Sequence, residues 1–111
     1  MKYTVVMTPQ ASHELEGMAD WWAENRFREQ AGRWYTGISD EIDRLSENPQ
    51  RWALSKESDD FPFELRELHF GLGRRPTHRA VFTIAEEFVV ILTIRHTARD
   101  SLTRDDIEYG P

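Results

Sequence analysis

The stretch THRAVFTIAEEFVVILTIRH, residues 77–96, decides the fold of this 111-residue chain. Residues 77–84 and 88–95 are rich in β-branched and aromatic side chains, and a short polar segment separates them, which predicts a β-hairpin. The run FVVIL, residues 88–92, is apolar at every position. We therefore expect its strand to be buried on both faces, at the centre of a sheet.

The flanking segments complete the pattern. Residues 2–8 and 63–70 are predicted strands, and Thr8-Pro9 is a typical helix start, with Thr8 as N-cap and Pro9 at the first helical position. Apolar side chains recur at helical spacing up to a break near residues 25–26 and again until Pro49, which disfavours helix at the residue before it. The order β-α-α-β-β-β predicts an α+β fold: a small, mostly antiparallel sheet packed against a helical hairpin.

The remaining segments are predicted as connections and a tail. Residues 51–62 form a predicted loop, and we expect its polar tip, residues 55–60, to be mobile. We predict a single domain over residues 1–100. Residues 101–111 are a C-terminal tail, either a short helix capped by Ser101 or Thr103 or a disordered segment.

Composition excludes several classes of function. The chain has no cysteine, so disulfides, thiolate metal sites and thiol nucleophiles are excluded. Its four histidines lack the spacing of a metal site, and we expect no metal or cofactor. The longest apolar run is far too short to span a membrane, and polar residues soon follow the N-terminal strand, which predicts a cytoplasmic protein.

The charge is unevenly distributed along the chain. The net charge is −6, yet residues 63–99 hold six arginines against four glutamates. A weakly basic sheet on an acidic helical layer permits a local phosphate site but provides little long-range attraction for RNA or DNA. Two of the four tryptophans, Trp22 and Trp34, fall on the apolar helical stripes and are predicted core residues. Trp21 is predicted to be exposed, where it could contact a partner protein.

Five motifs in this order resemble the RelE/ParE superfamily of type II toxin–antitoxin toxins. They are VVMTPQA (5–11), EIDRLSENP (41–49), ELREL (64–68), HRAVFTI (78–84) and VVILTIRH (89–96). The resemblance covers roughly residues 3–100. It implies a compact toxin held inactive by a cognate antitoxin that wraps around it, in a toxin–antitoxin hetero-oligomer.

The superfamily contains two kinds of toxin, and the resemblance leaves both open. One branch consists of ribosome-dependent mRNA endonucleases, and the other of DNA gyrase inhibitors that share the fold but lack the catalytic residues. An inert member that only binds its antitoxin is a third alternative. Endonuclease members are basic and carry lysines near the active strands, whereas the two lysines here, Lys2 and Lys56, lie outside the C-terminal strands.

The endonuclease alternative makes specific residue predictions. Metal-independent cleavage of RNA by its 2′-OH needs an acid, a base and cations around the phosphate. His96, just past the central strand, is the candidate acid or base. Arg79 and Arg66 lie on neighbouring strands and are predicted to converge on one phosphate, with Glu67 as a second candidate base.

Further charges flank the candidate acid. Arg95 and Arg99 lie on either side of His96 and are predicted to bind RNA phosphate or an acidic antitoxin. Each of these assignments has a structural alternative. The arginines could form cross-strand ion pairs with Glu64 or Glu67, and His96 could simply end its strand with a backbone hydrogen bond.

Overall fold

A computed structural model of the chain describes residues 2–99 and 101–108. Two helices, α1 (Pro9–Asn25) and α2 (Arg28–Asp43), follow the short strand β1 (Thr4–Met7). Three strands come next: β2 (Arg66–Phe70), β3 (His78–Ala85) and β4 (Phe88–His96). The predicted order and the α+β class are confirmed. No helix in the described part of the chain combines the length and apolar character needed to cross a membrane.

Local sequence explains the helix boundaries. The Thr8 hydroxyl accepts a hydrogen bond from the Ala11 amide at 3.1 Å, and Pro9 occupies the first helical position, so α1 begins where predicted. After α2, a turn of 3-10 helix spans Arg44–Ser46. Asn48 then adopts a left-handed conformation with φ 48° immediately before a second turn of 3-10 helix, Pro49–Arg51.

The four strands form one sheet in the order β1-β4-β3-β2. β1 runs parallel to β4, and the other two pairings are antiparallel. The prediction that the FVVIL strand is central is thereby confirmed. The β3–β4 register shifts at one place: Val81 pairs with Thr93, but Phe82 pairs with Ile91, which leaves Leu92 as an extra residue in a β-bulge.

The sheet is covered on both faces, by different elements. We call the side that packs against α1 and α2 the helix face; its core is built around Trp34, Ile38, Phe82 and Ile91. We call the opposite side the tail face, because the later part of the 51–62 loop and residues 101–108 cover it, whereas Trp52 packs on the helix face. The smaller core of the tail face contains six buried side chains, which are Phe61, Leu65, Val81, Leu92, Leu102 and Ile107.

The structure corrects the description of the loop and extends that of the tail. The predicted mobile tip, residues 55–60, is anchored instead, because Ser55, Glu57 and Ser58 are buried. Glu57 supplies the anchor through hydrogen bonds to β3 and to the tail. In the tail, residues Arg104–Asp106 form a turn of 3-10 helix that Thr103 caps, and the flanking Leu102 and Ile107 pack against the sheet.

Candidate functional site

The predicted catalytic residues are divided between the two faces of the sheet. Side chains alternate along a strand, so neighbouring residues point to opposite faces. Arg66 is two residues from Leu68 and lies with it on the helix face, whereas Arg79 is two residues from Val81 and lies with it on the tail face. The prediction that Arg66 and Arg79 converge on one phosphate was therefore wrong, because β2 and β3 pair in a register that separates them.

Arg79 is a buried structural residue. Its side chain is 7% exposed, and its Nη1 and Nη2 donate to the two carboxylate oxygens of Glu57 at 2.9 and 2.7 Å. Nη1 also donates to Glu67 Oε2 at 2.6 Å. Glu57 in addition accepts hydrogen bonds from the Ser55 hydroxyl and from the Leu102 amide. The guanidinium is thus bound within the protein, where RNA phosphate has no access to it.

The electrostatics of this cluster favour the charged forms of both partners. The hydrogen bond from Arg79 holds the pKa of Glu57 far below its usual range, although burial opposes the shift. The hydrogen bond to Glu57 likewise raises the pKa of Arg79, again against burial. Because the pair is ionised and doubly hydrogen-bonded, it joins β3 to the 51–62 loop and, through Leu102, to the tail.

Glu67 belongs to the same hydrogen-bond network as Arg79 and Glu57. One carboxylate oxygen accepts from Arg79, and the other lies 2.8 Å from His69 Nε2. Both oxygens therefore have a cationic or imidazole partner on the tail face. This is the cross-strand ion pairing that the sequence offered as the structural alternative to a catalytic base.

Arg95 is also buried on the tail face. Its side chain is 3% exposed, and its Nη1 lies 3.6 Å from Asp106 Oδ2 in the tail. Burial lowers the pKa of Arg95, with the charge of Arg99 adding to the shift. Its Nε has no hydrogen-bond partner among the described residues. Arg95 therefore lies beneath the tail, away from bulk solvent.

Arg66 occupies the edge strand and supports the backbone nearby. Its Nη1 donates to the carbonyl oxygens of Gln50 and Trp52, and its Nη2 lies 3.7 Å from Glu64. These bonds hold the chain after Pro49 against β2. Arg66 thus has a structural role in this conformation, distant in the sheet from the end of β4.

His96 and Arg99 are exposed at the end of the central strand. The His96 Nδ1 accepts a hydrogen bond from the Ala98 amide at 3.0 Å. Its ring meets that of His78 edge-on, with 5.1 Å between centroids, and His78 in turn packs on Trp34 at 4.8 Å. Burial, with a contribution from His96, lowers the pKa of His78 to about 4. Of the six predicted site residues, His96 and Arg99 line an open cavity.

That cavity is a groove of about 750 Å³ between α1 and the end of the sheet, which we call the α1–β4 groove. One wall is a face of α1 that carries His13, Gly17 and Trp21. The other walls are the α1–α2 turn and the end of the hairpin. Its remaining lining residues are Glu14, Met18, Trp22, Arg26, Phe27, Gln30, Thr77, His78, His96 and Arg99.

Within the described residues, no group of three or more His, Asp or Glu side chains is placed to hold a metal ion. The important residue that the sequence did not single out is Glu57. It appeared as one of several charges in a polar loop. The only signal was indirect: a strand that is apolar on both faces needs a second covering layer, and that layer has to come from the 51–62 loop or the tail.

Glu14 is a second residue that sequence reasoning missed. Its Oε1 accepts hydrogen bonds from the Thr93 hydroxyl at 2.7 Å and the Ile94 amide at 3.1 Å, next to the β-bulge. β1 pairs only as far as Ile91, so this edge of β4 has no further strand partner within residues 2–99 and 101–108. The Glu14 carboxylate takes the place of the missing strand, and nothing in its position on an amphipathic helix indicated that role.

Comparison with known proteins agrees with this architecture. A sequence model of the ParE toxin of the type II toxin–antitoxin system parDE matches residues 5–101. The structure is similar to a chain of the chromosomal ParDE toxin–antitoxin system from P. aeruginosa, with a TM-score of 0.67 and 19% identity, over 86% of this chain and 96% of that one. None of the curated protein sequences compared with the chain matches it. Because the family match spans nearly the whole fold, the chain belongs to the ParE toxin family of type II toxin–antitoxin systems.

Proposed function

We propose that this protein is a toxin that arrests growth by binding DNA gyrase in the cytoplasm, without cleaving RNA, and that a cognate antitoxin neutralises it. The observation that carries the proposal is the division of the predicted catalytic residues. Arg79, Glu67 and Arg95 lie under the loop and tail on one face, whereas His96 lies in the groove on the other.

This division matters because acid–base cleavage of RNA requires proximity. The acid, the base and the cations must all lie within hydrogen-bond reach of one phosphate. Here the sheet itself separates His96 from Arg79, and the bidentate bond to Glu57 occupies both terminal nitrogens of Arg79. A toxin that acts by binding a protein target requires no such set, and membership in the ParE family supports that alternative.

One observation favours the endonuclease as the second candidate. His96 and Arg99 are both exposed in the α1–β4 groove, with His78 beside them. An imidazole next to a guanidinium could bind a phosphate and transfer a proton. The two candidates therefore make opposite predictions for His96, and a single variant discriminates between them.

The decisive experiment compares wild type with His96→Ala. Each is induced without antitoxin, and mRNA integrity and plasmid supercoiling are read from the same culture. We expect both proteins to stop growth equally, with altered supercoiling and intact mRNA. Purified toxin should also inhibit gyrase on relaxed plasmid. Rapid mRNA loss that His96→Ala abolishes would establish the endonuclease instead, and the absence of any growth defect would indicate the inert alternative.

A further inference from the structure

The α1–β4 groove exposes two large aromatic side chains, Trp21 and Phe27. Trp21 is 56% exposed and Phe27 is 68% exposed, the two highest values among the exposed large hydrophobic residues of the described chain. Both line the groove: Trp21 lies near the C-terminal end of α1, and Phe27 is the N-cap of α2. Contiguous exposed aromatic surface promotes aggregation unless a partner covers it.

The polar lining of the groove gives the sign of that partner's charge. Arg26 and Arg99 contribute two fixed positive charges, against the single carboxylate of Glu14. Glu14 directs Oε1 to the Thr93 hydroxyl and the Ile94 amide, so it is bound to the sheet. The protein as a whole has a net charge of −6, yet this groove is locally positive. It is therefore complementary to an occupant that is acidic and partly apolar.

We propose that the α1–β4 groove binds an acidic segment of the cognate antitoxin, which inserts a large apolar side chain between Trp21 and Phe27. The choice of the antitoxin follows from the aromatic surface, which needs a cover for as long as the toxin is stored. The antitoxin is the partner that remains bound in the inactive state, whereas a target is met only after release. This inference rests on the antitoxin half of the proposed function and is independent of gyrase.

Gly17 provides a clean way to test the groove. A Cβ added there meets no atom within 4 Å, and Gly17 faces the groove from the middle of α1. A side chain added at this position therefore starts in open space and is directed toward the groove. Gly32 is a matched control: it is also exposed, lies within α2, leaves open space for an added Cβ, and does not line this groove.

The experiment measures the dissociation constant of purified toxin for the full-length antitoxin encoded beside it. Far-UV circular dichroism melts of each variant check that the toxin is folded. We expect Gly17→Glu to weaken binding by about 10- to 100-fold, because it adds both bulk and a repelling charge, and Gly32→Glu to stay within about twofold. Gly17→Lys fills the same space with the opposite charge, so it should weaken binding less than Gly17→Glu.

Truncation of the aromatic side chains provides an independent test. Trp21→Ala and Phe27→Ala should each weaken antitoxin binding about tenfold or more. Phe88→Ala, an exposed phenylalanine at the start of β4 outside the groove, should leave it unchanged. In cells, the groove variants should remain toxic when expressed alone and escape neutralisation when the antitoxin is co-expressed.

Two outcomes would overturn the proposal. Equal binding by Gly17→Glu and Gly32→Glu would show that the antitoxin does not enter the groove. Loss of toxicity in the groove variants with unchanged antitoxin binding would assign the groove to the target instead. A wild-type toxin that fails to inhibit gyrase would refute the proposed target, and the antitoxin affinities would still answer the question about the groove.

Discussion

Replacing Glu57 with glutamine should reveal how much of the stability depends on the buried ion pair. Glu57 is 3% exposed, and its carboxylate accepts hydrogen bonds from both terminal nitrogens of Arg79, from the Ser55 hydroxyl and from the Leu102 amide. Glutamine has nearly the same shape but turns one oxygen into an NH₂ donor. Each oxygen faces an arginine N–H, so in either orientation the new donor confronts another donor.

The expected cost follows from removing one partner of a buried pair, which typically destabilises a protein by about 3–5 kcal/mol. Glu67 still compensates part of the Arg79 charge, so we expect the lower end, about 3 kcal/mol. For a domain of this size, such a loss lowers Tm by roughly 12 °C or more. Urea unfolding followed by tryptophan fluorescence measures the loss directly.

A surface pair and a double-mutant cycle serve as controls. Glu41 and Arg44 form an exposed ion pair at 2.9 Å, and Glu41→Gln should cost less than about 1 kcal/mol. Combining Glu57→Gln with Arg79→Met should cost less than the sum of the single changes, because the double variant leaves no unpaired arginine. A loss below about 1 kcal/mol for Glu57→Gln, or additive single changes, would refute the account of the pair as a structural anchor.

Two further predictions concern the tail and the histidine next to Trp34. Leu102→Ala should lower the free energy of unfolding by about 2–4 kcal/mol, because Leu102 is 2% exposed in the tail-face core. A loss below about 0.5 kcal/mol, measured by urea unfolding, would mean that the tail does not pack against the sheet. The pKa of His78 is lowered to about 4 in the folded protein. Between pH 6.5 and 4 this histidine is therefore protonated in the unfolded chain and mostly neutral in the folded one. The free energy of unfolding should fall by about 1–3 kcal/mol as the pH drops through that window. The pKa of Glu57 is also lowered, but its contribution to stability is lost only below its ordinary pKa of 4.5. His78→Gln should therefore flatten the plot of unfolding free energy against pH between about pH 5 and 6.5. An unchanged slope in that range would contradict the assignment of this pH dependence to His78.

Local chemistry in the sequence was sufficient for the elements and their order. Thr8-Pro9 placed the start of α1, and the FVVIL run identified the central strand. Pro49 set only an upper limit for the second helix, which ends earlier, at Asp43. These features act within a few residues of one another, so they can be recognised without knowing the fold. The predicted strands 63–70, 77–84 and 88–95 also placed Arg66, Arg79 and Arg95 on consecutive strands.

The tertiary structure alone decided which of those residues share a face. On β4, Val90 and Leu92 pack on the tail face, yet Ile94 and His96 lie on the helix face, because the β-bulge at Leu92 inverts the alternation. If side chains alternated without interruption along β4, His96 would share the tail face with Val90 and Leu92, and therefore with Arg79.

The contacts that stabilise this arrangement join distant parts of the chain. Glu14 satisfies the Ile94 amide beside the bulge across 80 positions, and Glu57 reaches Arg79 across 22. Such pairings depend on where the loop, helix and tail come to lie. The sequence alone therefore determined the strands, the helices and the charges they carry. Strand register and long-range hydrogen bonding determined that the arginines became structural residues and that His96 faces the groove.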